Sequence, residues 1–278
     1  MKATMKILAL AMALMTVAAC TPLNAGDEFT ENTNGIEWRY EVIVSHMTYV
    51  RVFPVASSDL LTGEISIPAT ITHDGTLYTV TQIGKNAFRN YTGITAVSLP
   101  STISVIEENA FRNCTALAEI NTPQPLSTIG DYAFDGCSSL QSFNFQASLS
   151  TLGKGCFRNC SLLEDLNITA SLTAIPSSAF EGCASLTHLD LPATILQIGD
   201  KAISGCTGVE AVTCLAGAPP TCSANTFDGI ATDIPVTVLM SNVSSFQAAV
   251  GWNRFTNYIG NIDCRYFMNR NSATQAFA

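Results

Sequence analysis

The sequence predicts a solenoid, mostly β with one short helical turn in each stacked unit, and capped at both ends. Three observations predict it. From Ile83 to Cys214 one pattern is written six times at a period of 23 residues, with nothing inserted or deleted. Phe88, Phe111, Phe134, Phe157, Phe180 and Ile203 fall in one column, and Ile83, Ile106, Ile129, Leu152, Ile175 and Ile198 in another. A unit this short cannot bury an apolar face alone, and fixed periods of about 20–50 residues are the mark of stacked units.

Composition fits a filled core and excludes some partners. Apolar residues make up 47% of the chain and charged residues 13%, the balance of a packed chain rather than a disordered one. The formal net charge is −9, and no basic stripe offsets it. Nucleic acid and anionic lipid surfaces are therefore not expected partners.

Residues 1–19 read as a signal peptide. Lys2 and Lys6 lead into an apolar run from Ile7 to Ala19, shorter than the roughly 20 residues a membrane-spanning helix needs. The run ends in Val17-Ala18-Ala19-Cys20, which resembles a bacterial lipobox. The resemblance implies cleavage before Cys20, lipidation of its thiol, and membrane contact through that lipid only. Residues 20–35 are polar and aperiodic and read as a lipidated, flexible tether.

Residues 36–82 are expected to form an N-terminal β cap. The stretch 36–52 is rich in β-branched and aromatic residues and predicts one or two strands. Ile65 to Ile71 matches Val97 to Ile103 almost position for position, at an offset of 32 rather than 23 residues. The extra residues fall around His73-Asp74-Gly75-Thr76, and Asp-Gly is a strong hairpin-turn signal. A rung carrying a hairpin insertion should start the stack.

Residues 83–217 are the repeat array. Leu189 and Leu191 flank Asp190, the alternation of a strand with one buried face, and Pro100, Pro123 and Pro192 end such strands. A second extended piece follows, as at Ile195 to Ile198, and then about one helical turn, as at Asp131 to Asp135. The next column holds only Asn or Gly (Asn90, Asn113, Gly136, Asn159, Gly182, Gly205), the types that tolerate a left-handed backbone. The column Gly84, Glu107, Gly130, Gly153, Pro176 and Gly199 admits Pro, whose ring locks φ at a negative value. Space or turn geometry, not positive φ, should explain those glycines.

Residues 218–263 slip the period, since Phe227 falls one position past the step that leads on from Ile203. They are expected to form a C-terminal cap: a strand from Pro235, a helix from Asn242 to Trp252 capped by Ser241, and a last strand from Phe255. Residues 264–278 read as a tail.

The unit I-G-x-x-A-F-x-N/G-C-x-x-L-x-x-L-x-L-P, written at Ile129 to Cys137 and onward, resembles the BspA-like leucine-rich repeat family of bacterial surface proteins. The Asp-Gly hairpin rung and the segment Ala249 to Phe255 resemble it as well. The resemblance implies a leucine-rich-repeat solenoid with one sheet on its concave face, adhesive or protein-binding roles, and no cofactor. It also implies ligands that differ from member to member.

Two sets of residues could carry chemistry. Cys114, Cys137, Cys160, Cys183 and Cys206 share a column that begins with Tyr91, and Cys156 sits in an alanine column, so these thiols read as small packing groups. No C-x-x-C pair points to a metal. The pair to expect in a disulfide is Cys214 with Cys222. The second set is the outward face of the strands: Glu119, Asn121, Ser142, Asn144, Asp165, Asn167, His188 and Asp190. An amide ladder along Asn121, Asn144 and Asn167 is expected there. Ser142, Asp165 and His188 stack on three rungs, but a nucleophilic triad needs His between Ser and the acid, and no glycine loop offers an oxyanion hole.

These observations predict a non-enzymatic, monomeric binding module. It would be displayed on the bacterial outer membrane surface by the lipid on Cys20, with a host-matrix or bacterial-surface protein as ligand. A glycan is the second ligand class. A structural envelope scaffold contacting components of its own cell is the alternative function.

Overall fold

The computed structural model describes residues 23–44, 47–168 and 172–261. It is a β-solenoid of about eight turns with little helix. Along one side runs a parallel ladder of strands. It starts with β4 (Gly63–Ser66) against β7 (Ile94–Ser98) and Glu119–Ile120. It resumes at Asp165–Asn167 and continues through His188–Leu191, Ala211–Cys214, Pro235–Leu239 and Asn257–Asn261. The rung between the two stretches carries Phe143 and Phe145, and a single bridge, Phe145 to Ile168, joins it onward. A second ladder is built from the isoleucine column, with Ile83 beside Ile106, Ile106 beside Ile129, and Ile129 beside Leu152.

The expected rung at Ile65 is present in the expected register, with Ile65 beside Val97 and Ser66 beside Ser98. Its insertion is a hairpin of β5 (Thr70–His73) and β6 (Thr76–Ile83), turned by Asp74 and Gly75 at φ 46° and 77°. Two positive φ values in succession are what the right-handed twist of a two-residue hairpin demands.

The second half of the stretch expected to be a flexible tether contains a strand. Glu28–Thr33 (β1) pairs antiparallel with Ile36–Val42 (β2), which pairs with Tyr49–Pro54 (β3), and β3 lies parallel to β6. Asn34 and Gly35, at φ 54° and 80°, make the β1–β2 turn. Order extends upstream too, because the Gly26 amide donates to the Val42 carbonyl (2.9 Å) and the Val42 amide to the Asp27 carbonyl (2.9 Å).

Each repeat turns without a helical turn. The segment Asp131 to Asp135 is a run of turns held from outside: the amides of Tyr132, Phe134 and Gly136 donate to Lys154, Cys156 and Arg158 on the following rung, at 2.8 Å each. Two residues per rung are left-handed. One is the Asn/Gly column, at φ between 60° (Asn113) and 78° (Gly136). The other is Asn86, Asn109, Tyr132, Gly155, Ser178 and Lys201, at φ from 54° to 59°. The glycine column is not left-handed. A Cβ on Gly153 would lie 2.3 Å from backbone atoms of Gly130 and Asp131, and one on Gly199 2.4 Å from the Ser177 nitrogen, so close rung-to-rung approach is its reason.

The interior follows the columns. Phe88, Phe111, Phe134, Phe157 and Phe180 stack nearly parallel, with centroids 5.0 to 5.6 Å apart and planes within 8°. Trp38 meets Phe88 edge-on at 6.1 Å. Phe143 and Phe145 lean on Phe157 from the strand side. Each aromatic contact adds about 0.5–1.5 kcal/mol beyond simple burial. At the far end Phe227 packs on Trp252 and Phe255. The short helix expected over Asn242 to Trp252 is shorter still: a 3-10 turn at Met240–Asn242, α1 at Val243–Ala248, and a 3-10 turn at Trp252–Arg254. Asn242, not Ser241, precedes α1, and no side chain caps it.

Candidate functional site

The strand face is the candidate site. Alternation along each strand sends one set of side chains into the core and the other outward: Leu189 and Leu191 are buried while His188 and Asp190 are exposed. Glu119, Asn121, Ser142 and Asn144 are exposed as well. Asp165 and Asn167 are described through their backbone, whose register sets them beside His188 and Asp190. Asp165 is thus the neighbour of His188, and Ser142 lies on the rung before. That is the order that does not make a triad. The His188 Nδ1 atom lies 3.1 Å from the Thr187 hydroxyl.

The expected amide ladder does not start as expected. Asn121 turns its side chain onto Leu99, accepting from the Leu99 amide (2.5 Å) and donating to the Leu99 carbonyl (2.8 Å). It thereby substitutes for ladder bonds where the strand ends. An asparagine pair does form on the turn side, where Asn113 Nδ2 donates to Asn90 Oδ1 (2.9 Å).

The early rungs of the strand face hold an open groove of about 700 Å³. Glu119, Asn121 and Ser142 line it together with Ser98, the first member of the outward column of Asn121, and so do Glu64, Ser66 and Gln141, which were not singled out in the sequence. A signal for two of them existed. Once Ile65 is matched to Val97, Glu64 and Ser66 fall in the outward columns of Ala96 and Ser98. The lining holds two carboxylates and no cation, so the groove is mildly acidic.

The cysteines are structural. Cys114, Cys137, Cys160, Cys183 and Cys206 are buried, and each thiol donates to the phenylalanine carbonyl of the preceding rung, at 3.0 to 3.2 Å. Burial pushes the Cys114 thiol up to about 12 and holds those of Cys137 and Cys160 well above the usual thiol range. The expected Cys214–Cys222 disulfide is not formed. Both are free, the Cys222 thiol donates to the Val250 carbonyl (2.9 Å), and burial raises each to about 11. Such thiols are poor nucleophiles, because only the thiolate attacks. Among the described residues no group of three His, Cys, Asp or Glu could hold a metal ion. Cys20 and His46 lie outside the described residues.

On the turn side Asp135 is buried between two arginines. Arg158 holds it through Nε and Nη2, both at 2.9 Å, and Arg112 Nε lies 3.0 Å away. Both guanidinium groups sit over the Tyr132 ring, at 5.5 and 5.2 Å. This cluster sets two partly exposed guanidinium groups against one buried carboxylate, so one positive charge remains on the turn side.

A parallel stack of short strands and tight turns, with an apolar column repeating every 23 residues, defines a leucine-rich-repeat solenoid. Residues 81–210 match the model of the BspA type leucine rich repeat region in six copies, and the array belongs to that family. Among solved structures the chain is similar to a leucine-rich repeat protein of T. pallidum, at 23% identity and TM-score 0.53. That match covers 81% of this chain and 88% of the other. It is also similar to the pneumococcal vaccine antigen PcpA, at 19% identity and TM-score 0.56, over 78% of this chain and 65% of that one. No curated protein sequence matches the chain.

Proposed function

We propose that this protein is a non-enzymatic, adhesin-like recognition module, presented at the outer surface of a bacterial cell by a lipid on Cys20. Leucine-rich repeats are in general protein-interaction modules. The observation that carries the finer reading is the strand face. Its backbone is fixed by a parallel ladder and a stacked core, while Glu64, Glu119, Asn144, His188 and Asp190 project outward. A preformed surface loses little freedom on association, which spares part of the roughly 0.5–1.5 kcal/mol that ordering each long side chain costs. The mildly acidic groove favours a protein ligand with basic side chains at its centre. A lipid anchor accounts for the apolar run and Cys20, and it is compatible with a cell-surface location.

The test is affinity capture with the secreted Cys20→Ala chain as bait against host-matrix and bacterial-surface extracts. Joint replacement of Glu119, Asn144, Asp165 and His188 by Ala should weaken capture at least tenfold and leave the melting temperature unchanged. Undiminished capture by that variant would remove the strand face as the site. Protease treatment of intact cells should release the solenoid; protection until lysis would favour a scaffold inside the envelope.

A further inference from the structure

The N-terminal end of the molecule carries an apolar tip that the repeat architecture does not use. Val44 and Met47 follow β2 and precede β3, and Tyr49 opens β3; these residues are 46%, 51% and 46% exposed. Leu77, 57% exposed, belongs to the same outer face, because β3 pairs with β6 through Tyr49 and Thr79, two residues from Leu77. Buried residues alternate with them on the inner side, namely Val50, Tyr78 and Val80. Tyr49 and Leu77 owe their exposure to period-two alternation, which places them on the wrong side for a core, whereas Val44 and Met47 lie past the end of β2, before β3 begins.

The path of the chain says what covers it. Leu23 packs against the core, and the Gly26 amide is bonded to the Val42 carbonyl, two residues from Val44. Cys20 lies three residues before Leu23, and three residues span at most about 10 Å. A group attached to Cys20 therefore stays within about 10 Å of Leu23, which the Asn24–Asp27 turn holds at this end of the molecule. A long flexible tether would have left the tip indifferent to it.

Resting on the reading that Cys20 is lipidated, we propose that Val44, Met47, Tyr49 and Leu77 form a second membrane contact. They enter the interface of the bilayer that holds the acyl chains and fix the solenoid's orientation on it. Aliphatic side chains with a tyrosine among them suit that layer, where one end of the ring is apolar and the other wet. The contact is apolar, so the chain's net charge of −9 does not oppose it on a zwitterionic surface.

The test uses the full chain purified from membranes and reconstituted in phosphatidylcholine vesicles whose acyl chains are brominated. Native Trp38 and Trp252 are fully buried and supply a constant background. Tyr49→Trp should be quenched several-fold more than Met240→Trp, a probe at the opposite end whose parent residue is 58% exposed. Adding Val44→Asp and Met47→Asp to Tyr49→Trp should abolish the difference while flotation with the vesicles persists. Equal quenching of the two probes in protein that floats would overturn the contact and leave lipidation standing. If the Cys20→Ala chain floats as well as the parent, lipidation fails and the quenching of Tyr49→Trp alone decides the contact; if neither floats, lipidation and the contact fail together.

Discussion

The two sides of a rung obey different rules. On the turn side the buried phenylalanine and cysteine columns keep one residue type at nearly every step, because each rung rests on the next through rings, thiols and amides. On the strand face one outward column reads Ala96, Glu119, Ser142, Asp165, His188 and Ala211, with no type repeated between the two alanines, while its neighbour keeps Asn only at Asn121, Asn144 and Asn167. Contact between rungs demands sameness, since whatever stands in a column must fit a copy of itself. Freedom from that demand marks the surface that is available to something else.

Substitutions can break or sharpen this contrast. The largest effect is expected at Phe134, which stacks on Phe111 and Phe157 and touches Phe143. Phe134→Ala should cost about 3–5 kcal/mol, read from the denaturant midpoint. Asp135→Ala comes next, at about 1–3 kcal/mol, because Arg158 loses the acceptor of two charge-assisted bonds and Arg112 loses its ion-pair partner. Phe134→Ala and Asp135→Ala leaving stability unchanged would erase the contrast.

Cys137→Ala should cost about 1 kcal/mol, the value of a thiol bond and a little packing. The thiols also set an alkaline limit. An unfolded thiol ionises near 9, whereas Cys214 and Cys222 hold their protons to about 11 and Cys114 to about 12. The folded state thus binds more protons between these values, and stability should be full below pH 9 and fall as pH rises beyond it. Iodoacetamide at pH 8 should label Cys222 first, since it alone of the described cysteines is not buried, and should reach the column only on unfolding. The smallest effects belong to the strand face. Asn144→Ala should stay within about 0.5 kcal/mol, while Asn121→Ala should cost about 1 kcal/mol because it strands the Leu99 amide and carbonyl.

Much of this was legible in sequence. The period fixed which residues share a column, and the match of Ile65 to Val97 located the first rung. Three features were not legible. The left-handed column Asn86, Asn109, Tyr132, Gly155, Ser178, Lys201 hides its geometry behind Tyr, Ser and Lys. Those residues accept a backbone that costs roughly 1–2 kcal/mol because Tyr132 and Ser178 donate their amides to the next rung. The β1–β2 hairpin was concealed by the polar run before it, although Asn34-Gly35 is as strong a turn signal as Asp74-Gly75. The bond from each thiol to the ring residue's carbonyl joins residues 26 apart, a separation that no periodicity displays.

The constant register of the array has a consequence for how such a molecule can change. Phe88 donates its amide to Ala110, Phe111 to Ala133 and Phe180 to Ala202, always at the same offset along the chain. Removing a whole rung would bring together partners of the same kind, whereas removing one residue would misalign everything beyond it. Heritable variation in length should therefore come in whole repeats. Duplication would widen the recognition surface by one strand at a time, and no existing contact would need to be redesigned.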